Sequence, residues 1–169
     1  MKRKAVFVLL MWLCLTALAA CSSATPISTG STTTNNNSAV TPSTTNGKLN
    51  LNTASGDEFL AAIPGFGSRM VREFQEYRPY ISIQQFRQEI GKYVDDTQIA
   101  EYEKYVYVPI GINDSDSETL QQIPGLDATE AETLMSDRPY ATKEDFITSL
   151  SQYVPADDLE LAISYLGDN

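Results

Sequence analysis

The amino-acid sequence predicts an all-α chain in which one unit of about four short helices is used twice, after an export signal and a polar tether. Three observations lead there. Residues 55–105 read again without a gap sixty positions later, at 115–165. The register sets Ser55 over Ser115, Glu58 over Glu118, Leu60 over Leu120, Ile63-Pro64-Gly65 over Ile123-Pro124-Gly125, Arg78-Pro79-Tyr80 over Arg138-Pro139-Tyr140, Phe86 over Phe146 and Tyr93-Val94 over Tyr153-Val154. Capping signatures stand before short runs of apolar residues at helical spacing, and Pro-Gly or Arg-Pro cuts those runs, so the helices are short.

Each copy opens on a capping box, Ser55-x-x-Glu58 and Ser115-x-x-Glu118, in which the hydroxyl accepts from an early helix N–H and the carboxylate returns a bond. A first helix follows, apolar at Phe59, Leu60 and Ile63, and Pro64-Gly65 stops it. A second helix covers residues 68–77, with Val71 and Phe74 one turn apart and Met70 beside them; Ala131, Leu134 and Met135 make the matching face. Ser82-x-x-Gln85 caps a third helix through Ile90, packed through Phe86 and Ile90, with Phe146 and Leu150 as counterparts. A fourth helix runs from Asp96 to Tyr105 behind Asp95, burying Ile99, Tyr102 and Tyr105, and in the other copy Pro155 takes a first-turn position. Pro109, Gly111 and Asn113 form the join. Residues 48–111 and 112–169 thus make the two copies, each too small to bury much surface alone, so they are expected to pack together.

Residues 1–20 read as a signal peptide: Lys2-Arg3-Lys4, then an apolar run over 5–17, short for a membrane span. Leu18-Ala19-Ala20-Cys21 resembles a bacterial lipobox. That resemblance implies lipidation of Cys21 with diacylglycerol and an amide-linked acyl chain such as palmitate, and an extracytoplasmic place on the cell membrane or outer membrane. The plainer alternatives are an ordinary secretory signal or an N-terminal anchor. Residues 21–47 form the tether; from 22 to 47, eighteen of twenty-six residues are Ser, Thr or Asn and none is charged, so the segment is expected to be disordered. Its mean reach is roughly 28 Å.

Cleavage before Cys21 also removes Cys14, which leaves no pair of cysteines for a disulfide. The chain has no His. Together these absences argue against common zinc and transition-metal sites, Ser-His-Asp or Cys-His nucleophiles and a His general base, so neither catalysis nor a cofactor is expected. Beyond residue 20 there are nine Lys or Arg against twenty-two Asp or Glu, a net charge of −13. Residues 48–111 carry −2 of this and residues 112–169 carry −11. Such acidity favours solubility and opposes non-specific attachment to phosphate, and it leaves open a solvated acidic face or one that docks a basic envelope protein.

Leu49-Asn50-Leu51-Asn52-Thr53-Ala54, a capping Ser-x-x-Glu, and Ile63-Pro64-Gly65-Phe66-Gly67 before a helix closing on Tyr77-Arg78 together resemble the helix-hairpin-helix family, in particular the ComEA-like domain of competence DNA receptors, within the SAM-like folds. The likeness is specific over residues 49–78, looser to Tyr105, and reaches the second copy through the internal repeat. It implies sequence-independent binding of double-stranded DNA, with Gly65, Phe66, Gly67 and Ser68 offering backbone amides to a phosphate and Arg69 and Arg72 adding charge. The other reading is a tight helix-to-helix turn, with Phe66 in the core and the Arg residues solvated. In the second copy Gly67 is replaced by Asp127, Ser68 by Ala128, Arg69 by Thr129 and Arg72 by Glu132, a set that repels phosphate. Residues 91–95 and 151–155, where a second hairpin of each copy would lie, depart from Gly-x-Gly. One such hairpin on an acidic protein implies weak affinity, roughly 10⁻⁴ to 10⁻⁶ M.

Asp114, Asp116 and Glu118 alternate like a calcium loop but lack its Gly and distal Glu, so helix capping by Ser115 is preferred and no metal is expected. Most of the nine Tyr are expected in core or rim packing rather than stacked on bases. Two functions stay open: loose DNA binding through the first hairpin, and a protein-interaction or scaffolding module of the cell envelope that has lost nucleic acid.

Overall fold

Side-chain caps decide where most of the helices begin. The computed structural model describes residues 46–167; the signal peptide, Cys21 and the tether up to residue 45 lie outside the described residues. Ser55 accepts from the Glu58 amide at 3.3 Å while Glu58 Oε2 accepts from the Ser55 amide at 2.7 Å, and α1 (Gly56–Ala62) follows. α2 (Ser68–Glu76) starts at Gly67 with no side-chain cap. Ser82 caps α3 (Ile83–Ile90) through the Gln85 amide at 3.1 Å, and Asp95 caps α4 (Asp96–Tyr102) through the Gln98 amide at 2.9 Å. The second half contains α5 (Ser117–Leu120), α6 (Ala128–Ser136), α7 (Lys143–Leu150) and α8 (Leu159–Ile163).

Among the described residues the chain is mostly helical, with one small parallel sheet that the sequence did not suggest. β1 (Leu49–Asn50) lies beside β2 (Val106–Tyr107), Leu49 opposite Val106 and Asn50 opposite Tyr107. Leu49 N–H donates to Tyr105 O at 2.7 Å and Leu51 N–H to Tyr107 O at 2.9 Å. Ile110 bridges Leu166 in the same sense, with Ile110 N–H to Tyr165 O and Gly167 N–H to Ile110 O, both 2.9 Å. Segments this short carry no legible alternation.

Asn52 then fastens the start of the first half to its middle. Its Nδ2 donates to Tyr80 O at 2.9 Å and its Oδ1 accepts from Tyr80 N–H at 2.7 Å. Asn113 does the same to Tyr140, at 3.0 and 2.9 Å. Residues 109–113 are therefore more than a join: they pair with the chain's end and clamp Tyr140.

These bonds also correct the register. The ungapped match places Ser115 over Ser55, yet the hydrogen bonds of the two halves correspond at a spacing of 61 up to the first helix and of 60 after it. Ala54 N–H donates to Asn50 O, and Ser115 N–H donates to Gly111 O. The cap of α5 is Asp116, which accepts from Thr119 N–H at 2.7 Å, so the Ser115/Glu118 capping box does not form. Ser115 is buried instead, with its Oγ accepting from Gly111 N–H at 2.9 Å. Leu120 accordingly takes the place of Phe59, whereas Leu60 is 42% exposed and outside the core. α5 is shorter than α1, and the missing residue restores the sixty-residue spacing at Ile123. Two smaller corrections concern the fourth helices. α4 ends at Tyr102, leaving Tyr105 half-buried beyond it, and α8 begins only at Leu159 because Asp158 N–H closes a turn back onto Pro155 O.

The first core is aromatic. Phe74 is its hub, with ring centroids 5.4 Å from Phe59, 4.8 Å from Phe66, 5.2 Å from Phe86 and 5.4 Å from Tyr102, all edge to face. The second core is largely aliphatic, built from Leu120, Ile123, Leu126, Leu134 and Leu150 around Phe146. α1 crosses α2 so closely that a Cβ on Gly56 would lie 2.7 Å from Val71 Cγ1; the counterparts are Ser117 and Ala131, so the bulk changes helix. β2 is the wall between the cores: Val106 and Val108 face the first and Tyr107 the second, as strand alternation requires.

α3 and α5 carry further contacts across that wall. Thr119 Oγ1 accepts from Ile83 N–H at 3.0 Å, both residues buried, and Gln122 accepts from Val108 N–H at 2.9 Å and donates to its carbonyl at 3.1 Å. Arg87 forks between Glu103 at 2.6 Å and Glu118 at 2.7 Å, and the hydrogen bond to Glu103 is the main reason its pKa is raised. Packing between the two halves is thus specified by buried and part-buried backbone groups more than by these half-exposed charges.

Two sets of variants test this account in urea unfolding. Asn52→Ala and Asn113→Ala should each lower stability by about 1–3 kcal/mol, because the Tyr amide and carbonyl lose their partner. Asp116→Ala should cost about 1 kcal/mol as a lost cap, while Glu118→Gln should cost less than about 1 kcal/mol.

Candidate nucleic-acid interface

Between α1 and α2 the chain turns at Ile63-Pro64-Gly65-Phe66. Phe66 N–H donates to Ile63 O at 3.2 Å and Gly65 has φ +69°, the pattern of a type II turn with Pro second and Gly third. The next residue pair splits inward and outward. The Phe66 ring is buried against Phe74 and Tyr102, and Gly67, in ordinary extended backbone, is exposed with nothing within 4 Å of a built Cβ. Phe66 therefore leaves the group of amide donors that the sequence pointed to, since its N–H is spent within the turn. Gly65, Gly67, Ser68 and Arg69 are exposed. Among the described residues no acceptor stands against the amides of Gly67, Ser68, Arg69 or Met70. The first turn of a helix leaves such donors facing outward, with the positive end of its dipole behind them.

The corresponding corner of the second half is closed from within. Leu126 N–H donates to Ile123 O at 3.2 Å and Gly125 has φ +86°, so the turn is the same. Asp127, however, accepts from the Glu130 amide at 2.9 Å, and Glu130 accepts from the Asp127 amide at 2.9 Å. Two carboxylates occupy the place where an outside anion would meet the amides.

The nine cations of the described residues are in unequal states. Arg87, Lys92 and Lys104 are paired with carboxylates. Arg78 donates to Ala54 O at 2.6 Å and lies 5.5 Å over the Phe59 ring, and Arg138 donates to Ile112 O at 2.9 Å; burial lowers both of their pKa values. Arg72 is well exposed, with only a 3.6 Å contact to Glu73. Arg69 is exposed, and its one close partner is the Tyr93 ring, 5.8 Å away. Lys143 donates to Gly167 O at 3.2 Å, and burial lowers the pKa of Lys48. The two residues singled out for charge are thus exposed and free of close ion pairs, and they follow the open amides directly.

Sequence reasoning missed Tyr77 and Tyr93 at this corner. Tyr93 comes from the turn between α3 and α4, and its hydroxyl shares a 2.8 Å hydrogen bond with that of Tyr77 at the end of α2. Hydrogen bonds to Tyr77 first, and to Glu73 second, push its pKa up. The spacing of Arg69, Glu73 and Tyr77 along one helix face held the clue, but nothing in the sequence said which turn would lie against that face.

The rest of the described surface converges less. An open groove of about 950 Å³ is lined by residues of both halves, with Asp114, Asp116 and Lys143 among them, so it gathers no single charge. Among the described residues no group of three or more His, Cys, Asp or Glu is placed to hold a metal ion, and no helix is long and apolar enough to cross a membrane. No protein-family model, curated protein or solved structure matches the chain.

The corner's backbone roles separate in thermal or urea unfolding. Gly65→Ala should cost about 1–2 kcal/mol for its positive φ, whereas Gly67→Asp should raise stability by a few tenths of a kcal/mol by adding the missing cap.

Proposed function

We propose that this chain is a non-catalytic, lipid-anchored extracytoplasmic module of tandem helix-hairpin-helix units, and that the first unit holds the phosphate backbone of double-stranded DNA loosely and without regard to sequence. The observation that carries this reading is the uncapped, exposed start of α2, followed by Arg69 and Arg72, beside a sister corner that supplies its own carboxylates. Helix N-termini with close backbone access suit phosphate oxygens, and the neighbouring guanidinium groups add charge. The resemblance of residues 49–78 to ComEA-like domains supports the same reading. A corner of this size engages one or two phosphates, so affinity should be in the range of about 10⁻⁴ to 10⁻⁶ M and fall as salt rises.

The second reading is a protein-interaction or scaffolding module of the envelope. The self-capped Asp127–Glu130 corner and the −11 net charge of residues 112–169 favour it, since that half suits a basic partner rather than a phosphate.

A salt-dependent polarisation titration with labelled duplex DNA distinguishes them. The wild-type chain should bind at low salt with a slope of about −1 to −2 in log K against log[salt], and with no preference among duplex sequences. Arg69→Glu/Arg72→Glu, and separately Gly67→Asp, should abolish binding without loss of fold. Equal binding by wild type and these variants, or no binding at low salt, removes the DNA reading and leaves the scaffold.

A further inference from the structure

Arg69 and Glu73 stand four residues apart on α2 and so share one face of the helix, and Tyr77, its C-cap, follows four residues later. The turn after α3 lays Tyr93 along that face. Its backbone is fixed by Tyr93 N–H to Ile90 O at 2.9 Å, its hydroxyl meets the Tyr77 hydroxyl at 2.8 Å, and its ring lies 5.8 Å from the Arg69 guanidinium carbon. The Tyr77 and Tyr93 rings are 6.4 Å apart, and Lys92 Nζ lies over the Tyr77 ring at 4.9 Å while paired with Glu89. A long, flexible side chain at the mouth of an anion site is ordinarily free to swing away from it. Here an anchored aromatic face gives the guanidinium a seat.

We infer that Tyr93 is a positioning residue of the phosphate corner: its ring, held by the Tyr77 hydroxyl, keeps the Arg69 guanidinium beside the open first turn of α2. The inference rests on the DNA-binding reading and deepens it, because it assigns part of the site to the turn after α3, 26 residues beyond Gly67 and outside the hairpin itself. The second half supplies a contrast. Tyr153 occupies the matching turn, but the positions that match Arg69, Glu73 and Tyr77 are Thr129, Thr133 and Asp137, and Tyr153 packs against its own core. Where no cation needs a seat, the same residue type has a purely structural use.

The test is a double-mutant cycle on the full chain in non-ionic detergent, reading the Kd for labelled duplex DNA at low salt, with thermal unfolding to confirm the fold. Tyr93→Leu should raise Kd about two- to fivefold, the worth of one exposed cation–aromatic contact, and should have no effect in an Arg69→Ala background. Tyr93→Phe, which keeps the ring and loses the hydroxyl, should fall between wild type and Tyr93→Leu. An unchanged Kd for Tyr93→Leu, an equal loss in both backgrounds, or a Tyr93→Phe as weak as Tyr93→Leu overturns the inference while DNA binding by Arg69 stands. Absence of binding by the wild-type chain overturns both.

Discussion

The burial of one phenyl ring governs the corner on which the functional reading rests. Phe66 points into the core, edge to face with Phe74 and Tyr102, and each such pair contributes about 0.5–1.5 kcal/mol beyond the area it buries. With that ring fixed inward, the glycines on either side have nowhere to face but solvent, and α2 begins with its amides outward. The same ring ties α2 to α4, which brings the turn between α3 and α4 against the α2 flank. A residue with no polar atom in its side chain thus orients the polar groups around it.

The two halves answer one backbone problem in opposite ways. A helix that begins with no cap leaves donors unpaired, and the second half satisfies them with Asp127 and Glu130. The first half leaves them to water or to a ligand, and keeps its nearest guanidinium groups out of strong ion pairs. An inner carboxylate would make α2 more stable and shut its corner. Leaving a helix under-capped is the kind of local inconsistency that sites for ligands show.

Much of the helical layout was legible because it depends on neighbours in sequence. Ser82 and Asp95 cap where their spacing says they should, and Pro64-Gly65 and Pro124-Gly125 turn the chain as their backbone preferences require. The one-residue slip between the halves was not legible. Ser115 and Glu118 match Ser55 and Glu58 in type, and only the bonds of Asp116 and of the lead-in residues 110–113 reveal that Leu120 stands for Phe59. The strand pairing and the Tyr77–Tyr93 contact were hidden for a different reason. Both join segments far apart in the chain through one or two residues, too few to leave a period. At the candidate site the motif named glycines and arginines that are exposed, the Phe66 ring lies in the core and its N–H within the turn, and the aromatic seat required coordinates.

The pairing of β1 with β2 fixes where the polypeptide leaves the first half. Neighbouring strands lie about 4.8 Å apart, so after some sixty residues the backbone returns to the spot where it came in, and Val108-Pro109 suffices to begin the next half at Ile110. Ile110 with Leu166 closes the second half likewise. Segments with coincident ends can be spliced in or out of a chain without stretching what remains, so length along this axis is a free variable of the architecture, and the residues that meet at the wall, Ile83, Arg87, Tyr107, Thr119 and Gln122 among them, must be rewritten when a half gains or loses a neighbour.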